Sequence, residues 1–134
     1  MHHPIDEIDD YVRGLQVEHM LFWIAGNTRS TDKVFLMGDF NAQPTSVSYR
    51  HCIEAGFKSA FMTVNSREPE DTFPTGLQAE FMDTDPAMCL DYVFYRGPDS
   101  LRPISAEISG VTHATGDDTL YPSDHKALIC EFEY

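Results

Sequence analysis

Near the amino terminus apolar positions recur at three- and four-residue steps: Ile5, Ile8, Val12, Leu15 and Phe22 form one stripe, with His19 on or beside it. That period matches the helical turn and predicts a helix from Pro4 to about Gly26, its stripe facing a core. Pro4 suits a first helical turn, Asp6, Glu7, Asp9 and Asp10 lie at the positive end of the dipole, and Gly26-Asn27 supplies the stop. A dipole-matched, solvated first turn explains the acidic cluster better than a metal site does. His19 reads as a packed histidine rather than a ligand.

The pattern then changes. Val34-Phe35-Leu36-Met37 is a continuous apolar run and predicts a strand buried on both faces, ending in Gly38-Asp39-Phe40-Asn41. Gly38 allows close backbone approach, and strand alternation turns Asp39 and Asn41 the same way at the sheet's end, where α/β folds place ligand sites. An Asp and an Asn after a strand can also simply make a turn. Thr45 or Ser46 caps a second helix, with Val47, Cys52 and Ile53 facing the core and Gly56 ending it; its free N–H groups would favour an anion near Asp39. Phe57 to Val64 reads as a second strand. Residues 65–90 are irregular, and a connection this long is more often functional or mobile than idle. Asp83-Thr84-Asp85 fails the calcium-loop template at Ala87 and Met88. Leu90 to Tyr95 is a strand with Tyr92 and Phe94 on one face and Asp91, Val93 and Tyr95 on the other, where an acid needs a partner. Ile104–Val111 and Ala127–Phe132 are the remaining strands; the loop between them holds His113, Asp117 and Asp118, read as solvated.

The 134 residues, 42% of them hydrophobic, suit one domain with a core. Nine basic against 22 acidic residues give a net charge of −13, which argues against a broad nucleic-acid footprint. Phosphate chemistry survives that charge if a divalent cation screens the site. Cys52, Cys89 and Cys130 are odd in number and widely spaced, as reduced thiols in an intracellular compartment, cytoplasmic or nuclear, would be. The histidines show no zinc spacing. No run reaches membrane-spanning length and no secretory signal opens the chain, so no membrane partner is expected.

Three blocks at strand edges carry chemistry. Gly38-Asp39-Phe40-Asn41-Ala42-Gln43-Pro44-Thr45-Ser46, Leu90-Asp91-Tyr92-Val93-Phe94 and Ser123-Asp124-His125-Lys126-Ala127-Leu128 resemble, in order, the three signature blocks of the endonuclease/exonuclease/phosphatase superfamily. Arg13 and Gln16 resemble the Arg and Gln of the helix before the family's first block, and the blocks look closest to deadenylase-like eukaryotic members. The resemblance implies a divalent-metal-dependent phosphoester hydrolase using magnesium, with manganese as the other candidate ion, on a phosphoester substrate such as RNA or a nucleotide. In that pattern Asp39 would orient or deprotonate the attacking water and Asn41 would hold water or phosphate beside it. His125 would contact the scissile phosphate, Asp91 would fix its imidazole, and Asp124 would face the metal.

The resemblance also sets an expectation about extent. The family fold is a four-layer α/β sandwich of two halves, and its amino-terminal half carries the Glu that is the principal metal ligand. No residue before Asp39 matches that Glu, because the acids at 6, 7, 9, 10 and 18 sit on the predicted helix. Residues 1–134 therefore read as the carboxy-terminal half, an α/β (α+β) unit with one mainly antiparallel or mixed sheet flanked by helices. Its uncovered sheet face invites the amino-terminal half or a second copy in a homodimer. The alternative reading is a non-catalytic interaction module, or inactive fragment, of the same fold.

Overall fold

A computed structural model of the chain describes residues 7–75, 85–109 and 123–134. Helix α1 spans Glu7–Asn27, and the Thr28 hydroxyl and Asn27 amide close it by donating to the carbonyls of Ile24 and Trp23. Its inward face is not the expected one. Val17 and Ile24 are buried with Met20 and Leu21 beside them, whereas Ile8, Val12, Leu15 and His19 are exposed and Phe22 is 79% exposed. The cause lies at Gly14, where a Cβ would sit 2.8 Å from Val47 Cγ1. The close approach of the next helix rotates the line Gly14–Val17–Ile24 inward and leaves the apolar stripe outside.

Strand β1 (Val34–Asp39) is antiparallel to β3 (Asp91–Arg96), which pairs on its other side with the two-residue β2 (Lys58–Ser59). Among the described residues β1 is thus an edge strand. It is not buried on both faces: Val34 and Leu36 join the helix-covered core, but Met37 is 63% exposed. Helix α2 (Val47–Glu54) is capped by Ser46, whose hydroxyl accepts the Tyr49 N–H at 3.1 Å. Cys52 is buried as expected, while Ile53 is exposed. At the α2 N-terminus the chain's own Asp10 carboxylate accepts the Val47 N–H at 3.3 Å.

The strand expected over Phe57–Val64 is mostly helix α3 (Ala60–Asn65). Ser59 redirects the chain: its hydroxyl accepts the Met62 N–H, its carbonyl takes the Thr63 hydroxyl at 2.7 Å, and Ser66 at φ 60° ends the turn. β3 alternates as predicted. Tyr92 and Phe94 enter the core beneath α1 and α2 with Phe57 and Cys52, while Tyr95 faces a second cluster with Ala60, Leu101 and Phe132. Each such aromatic contributes on the order of 1.5–3 kcal/mol by burial. β4 (Arg102–Ser109) and β5 (Ala127–Glu133) form an antiparallel pair, and Phe132 meets Tyr95 and Phe35 edge-on. The result is an α/β fold of antiparallel sheets flanked by helices. Asp83, Thr84, His113, Asp117 and Asp118 lie outside the described residues. All three cysteines are free, and among the described residues no helix is long and apolar enough to cross a membrane.

Candidate active site

Asp39 closes β1 and Asp91 opens β3, and the register makes the two residues direct partners. Gly38 at φ 142° takes a conformation that side chains resist; nothing lies within 4 Å of where its Cβ would be, so its role is conformational freedom rather than the expected close approach. Asn41, left-handed at φ 47°, turns back on Asp39: its backbone N–H donates to Oδ1 at 2.7 Å and its amide Nδ2 to Oδ2 at 3.1 Å. The turn and the site are one structure here. From the core, the Tyr92 hydroxyl donates to the Ala42 carbonyl at 2.7 Å, with the Cys89 carbonyl at 3.0 Å, and fastens the loop after Asn41 to β3.

His125 reaches this end of the sheet from the turn before β5. Its Nδ1 lies 2.8 Å from Asp91 Oδ2, and its Nε2 lies 3.9 Å from Asp39 Oδ2. Burial alone would lower the imidazole pKa; the bond to Asp91 and the charges of Asp91, Asp39 and Asp124 outweigh it and raise the value above that of a free histidine. Asp124 is half-buried on the same turn, its carbonyl accepting the Thr75 N–H at 2.9 Å. The structure thus brings Asp39, Asn41, Asp91 and His125 together, with Asp124 adjacent in the chain.

The segment Asp71–Thr75 was not singled out by sequence, yet it frames the site. Lys126 N–H donates to the Thr72 carbonyl at 2.7 Å, the Lys126 ammonium pairs with Asp71, and the Phe73 ring centroid lies 4.8 Å from that of His125. The Thr72 hydroxyl donates to Asp91 Oδ2 at 2.7 Å. The only available signal was its place inside the long irregular connection.

Among the described residues, Asp39, Asp91 and His125 form a group whose ligand atoms lie within 4.8 Å of one another. Asp91 Oδ2 is already engaged by Thr72 and His125 and both Asp39 oxygens by Asn41, but each carboxylate oxygen keeps a further lone pair with which to reach an ion. One or two carboxylates with retained waters is the donor set magnesium favours, and these residues fit it.

The sequence matches the profile described as "Endonuclease/Exonuclease/phosphatase family" over residues 2–125. Nocturnin of Homo sapiens is 29% identical over 111 residues, covering 75% of this chain and 24% of that protein. An endonuclease/exonuclease/phosphatase of Bacteroides vulgatus superposes with a TM-score of 0.69 at 18% identity, over 92% of this chain and 44% of that one. D. rerio TDP2 complexed with single strand DNA product superposes with a TM-score of 0.68 at 16% identity, over 96% and 52% respectively. The chain spans about a quarter of the curated relative and about half of each solved structure.

Proposed function

Because the chain belongs to the Endonuclease/Exonuclease/phosphatase family, as one of its deadenylase-like members, we propose that it carries the acid–base half of a magnesium-dependent phosphoester hydrolase. The observation that supports this is the array Asp91–His125–Asp39 at one end of the β1–β3 ladder. With Nδ1 engaged by Asp91, Nε2 is the imidazole atom turned toward a substrate beside Asp39. A protonated His125 donates there to a phosphoryl oxygen and offsets the charge that builds in the transition state. Asp39 orients the attacking water and accepts its proton, and Asn41, fixed on the Asp39 carboxylate, positions water or phosphate alongside. Asp124 would hold Mg2+, or Mn2+ in its place; bound there, the ion would neutralise phosphoryl charge and screen the chain's own net charge of −13. The substrate class is a phosphoester, with single-stranded RNA or a nucleotide as the first choice, in an intracellular compartment suited to three free thiols.

The site is incomplete in this reading, and the amino-terminal half of the domain completes it. Support comes from the open side of β1: Met37 is exposed, and Arg13 Nε and Nη2 are buried without a hydrogen-bond partner. Between α1 and β1 lies a cavity of about 270 Å³ lined by Arg13, Gln16, Met37 and Asp39. A second copy of the chain is the competing occupant, and the mass in solution separates the two.

The test is magnesium-dependent cleavage of a short single-stranded RNA by the chain alone and by the chain joined to a family amino-terminal half, each with His125→Ala alongside. Cleavage by the completed protein that is lost in His125→Ala is the expected result. Cleavage insensitive to that substitution would overturn the assignment, and no cleavage by the completed protein would leave the interaction module.

A further inference from the structure

The Thr72 side chain is fully buried, and its hydroxyl oxygen has three polar neighbours: the Leu90 N–H at 2.9 Å, the Asp91 N–H at 3.1 Å and Asp91 Oδ2 at 2.7 Å. A hydroxyl has one proton and two lone pairs. Both backbone groups can only donate, so they occupy the lone pairs and the single proton is left for Asp91 Oδ2. That oxygen therefore accepts from Thr72, as the carboxylate of an ionised Asp91 does. Its other partner, His125 Nδ1 at 2.8 Å, must then be the donor.

We infer that Thr72 is a positioning residue which, through Asp91, holds neutral His125 in its Nδ1–H tautomer and leaves Nε2 as the working nitrogen facing Asp39. The constraint is closed from the other side as well. The Thr72 carbonyl accepts the Lys126 N–H at 2.7 Å, so one residue fixes both the carboxylate that receives the imidazole proton and the backbone beside the imidazole. The adjacent Phe73 ring, tilted by 40° to His125, borders the imidazole face. Valine keeps the shape of threonine but supplies no proton to Asp91, whereas serine keeps the hydroxyl. The use of Nε2 in catalysis rests on the phosphoesterase reading; the tautomer does not.

The experiment is nitrogen-15 and proton NMR of the histidine-labelled chain at alkaline pH, where the ring is neutral. In the wild type, His125 is expected to show a protonated Nδ1, with a low-field hydrogen-bonded N–H signal. Thr72→Ser should retain both features, while Thr72→Val should lose the low-field signal and shift population toward Nε2–H. A wild type already in the Nε2–H form would overturn the inference with no variant needed, so it stands open to refutation even if Thr72→Val fails to fold. A folded Thr72→Val with the wild-type spectrum would overturn it too. No substrate is used: an inactive protein with the expected spectra would sink the hydrolase reading alone.

Discussion

Asp39 and Asp91 are paired across the β1–β3 ladder, so a single antiparallel register sets both carboxylates that flank His125. Any slip of that register by one residue would send one carboxylate to the opposite face. The two carboxylates are therefore tied to the sheet rather than to a loop, and His125 is held against them from the turn before β5.

From this arrangement comes the first expected outcome. In the completed protein, Asp91→Asn should lower the cleavage rate by about 10²–10⁴-fold, the range for losing a positioned acid–base group. The substrate KM should change far less. Initial rates over a substrate series check it, and a drop confined to KM would contradict it.

The pH dependence of stability has a definite sign. His125 titrates higher in the folded chain than the 6.5 of a free histidine, through Asp91, Asp39 and Asp124 acting against burial. The stabilisation is fully present below the unfolded value and is lost as pH rises through the folded one. The Tm advantage of wild type over His125→Ala should accordingly shrink between about pH 6 and alkaline pH. Thermal unfolding across that window decides it; an advantage that grows with pH would refute the assignment.

Two glycines of α1 should respond in opposite directions. Gly14→Ala drives a methyl against Val47 and should destabilise by about 1–3 kcal/mol. Gly26→Ala meets nothing within 4 Å and should stabilise by about 0.4–1 kcal/mol. Urea unfolding of both variants is the check.

Burial pushes the Cys52 thiol up to about 12 and the Cys89 thiol up to about 11. Since the thiolate is the reactive form, both should resist alkylation at pH 8 in the native chain and react promptly once it is unfolded. Mass spectrometry after a timed iodoacetamide pulse reads this directly.

Much of the candidate site was legible because its chemistry sits where apolar runs in the sequence stop or start. Asp39, Asn41, Asp91 and His125 each follow or begin an apolar run, and an acid at the head of β3 needed a partner, found in His125 and Thr72. The helix face was not legible, because Ile8, Val12, Leu15 and Phe22 form as regular a stripe as the buried one. The contact of Gly14 with Val47 chose between them, and no local pattern encodes a contact so distant in the chain. Residues 60–65 went to helix because Ser59 capped them, a choice that the apolar character of Phe57 to Val64 conceals. Thr72 left only its place inside the long irregular connection, since its role exists only when Leu90, Asp91 and Lys126 surround it.

The segment Asp71–Thr75 joins the chain at several points: Thr72 and Phe73 N–H donate to the Met88 carbonyl, Thr75 N–H to Asp124 and Lys126 N–H to Thr72. None of these bonds belongs to a long ladder, and each needs the others to hold its partner in place. Their amides should exchange with solvent as one cooperative unit, opening before the β1–β3 core and at a common rate. The geometry of the candidate site would then have its own melting event, short of global unfolding, in which the sheet persists while His125 swings free of Asp91.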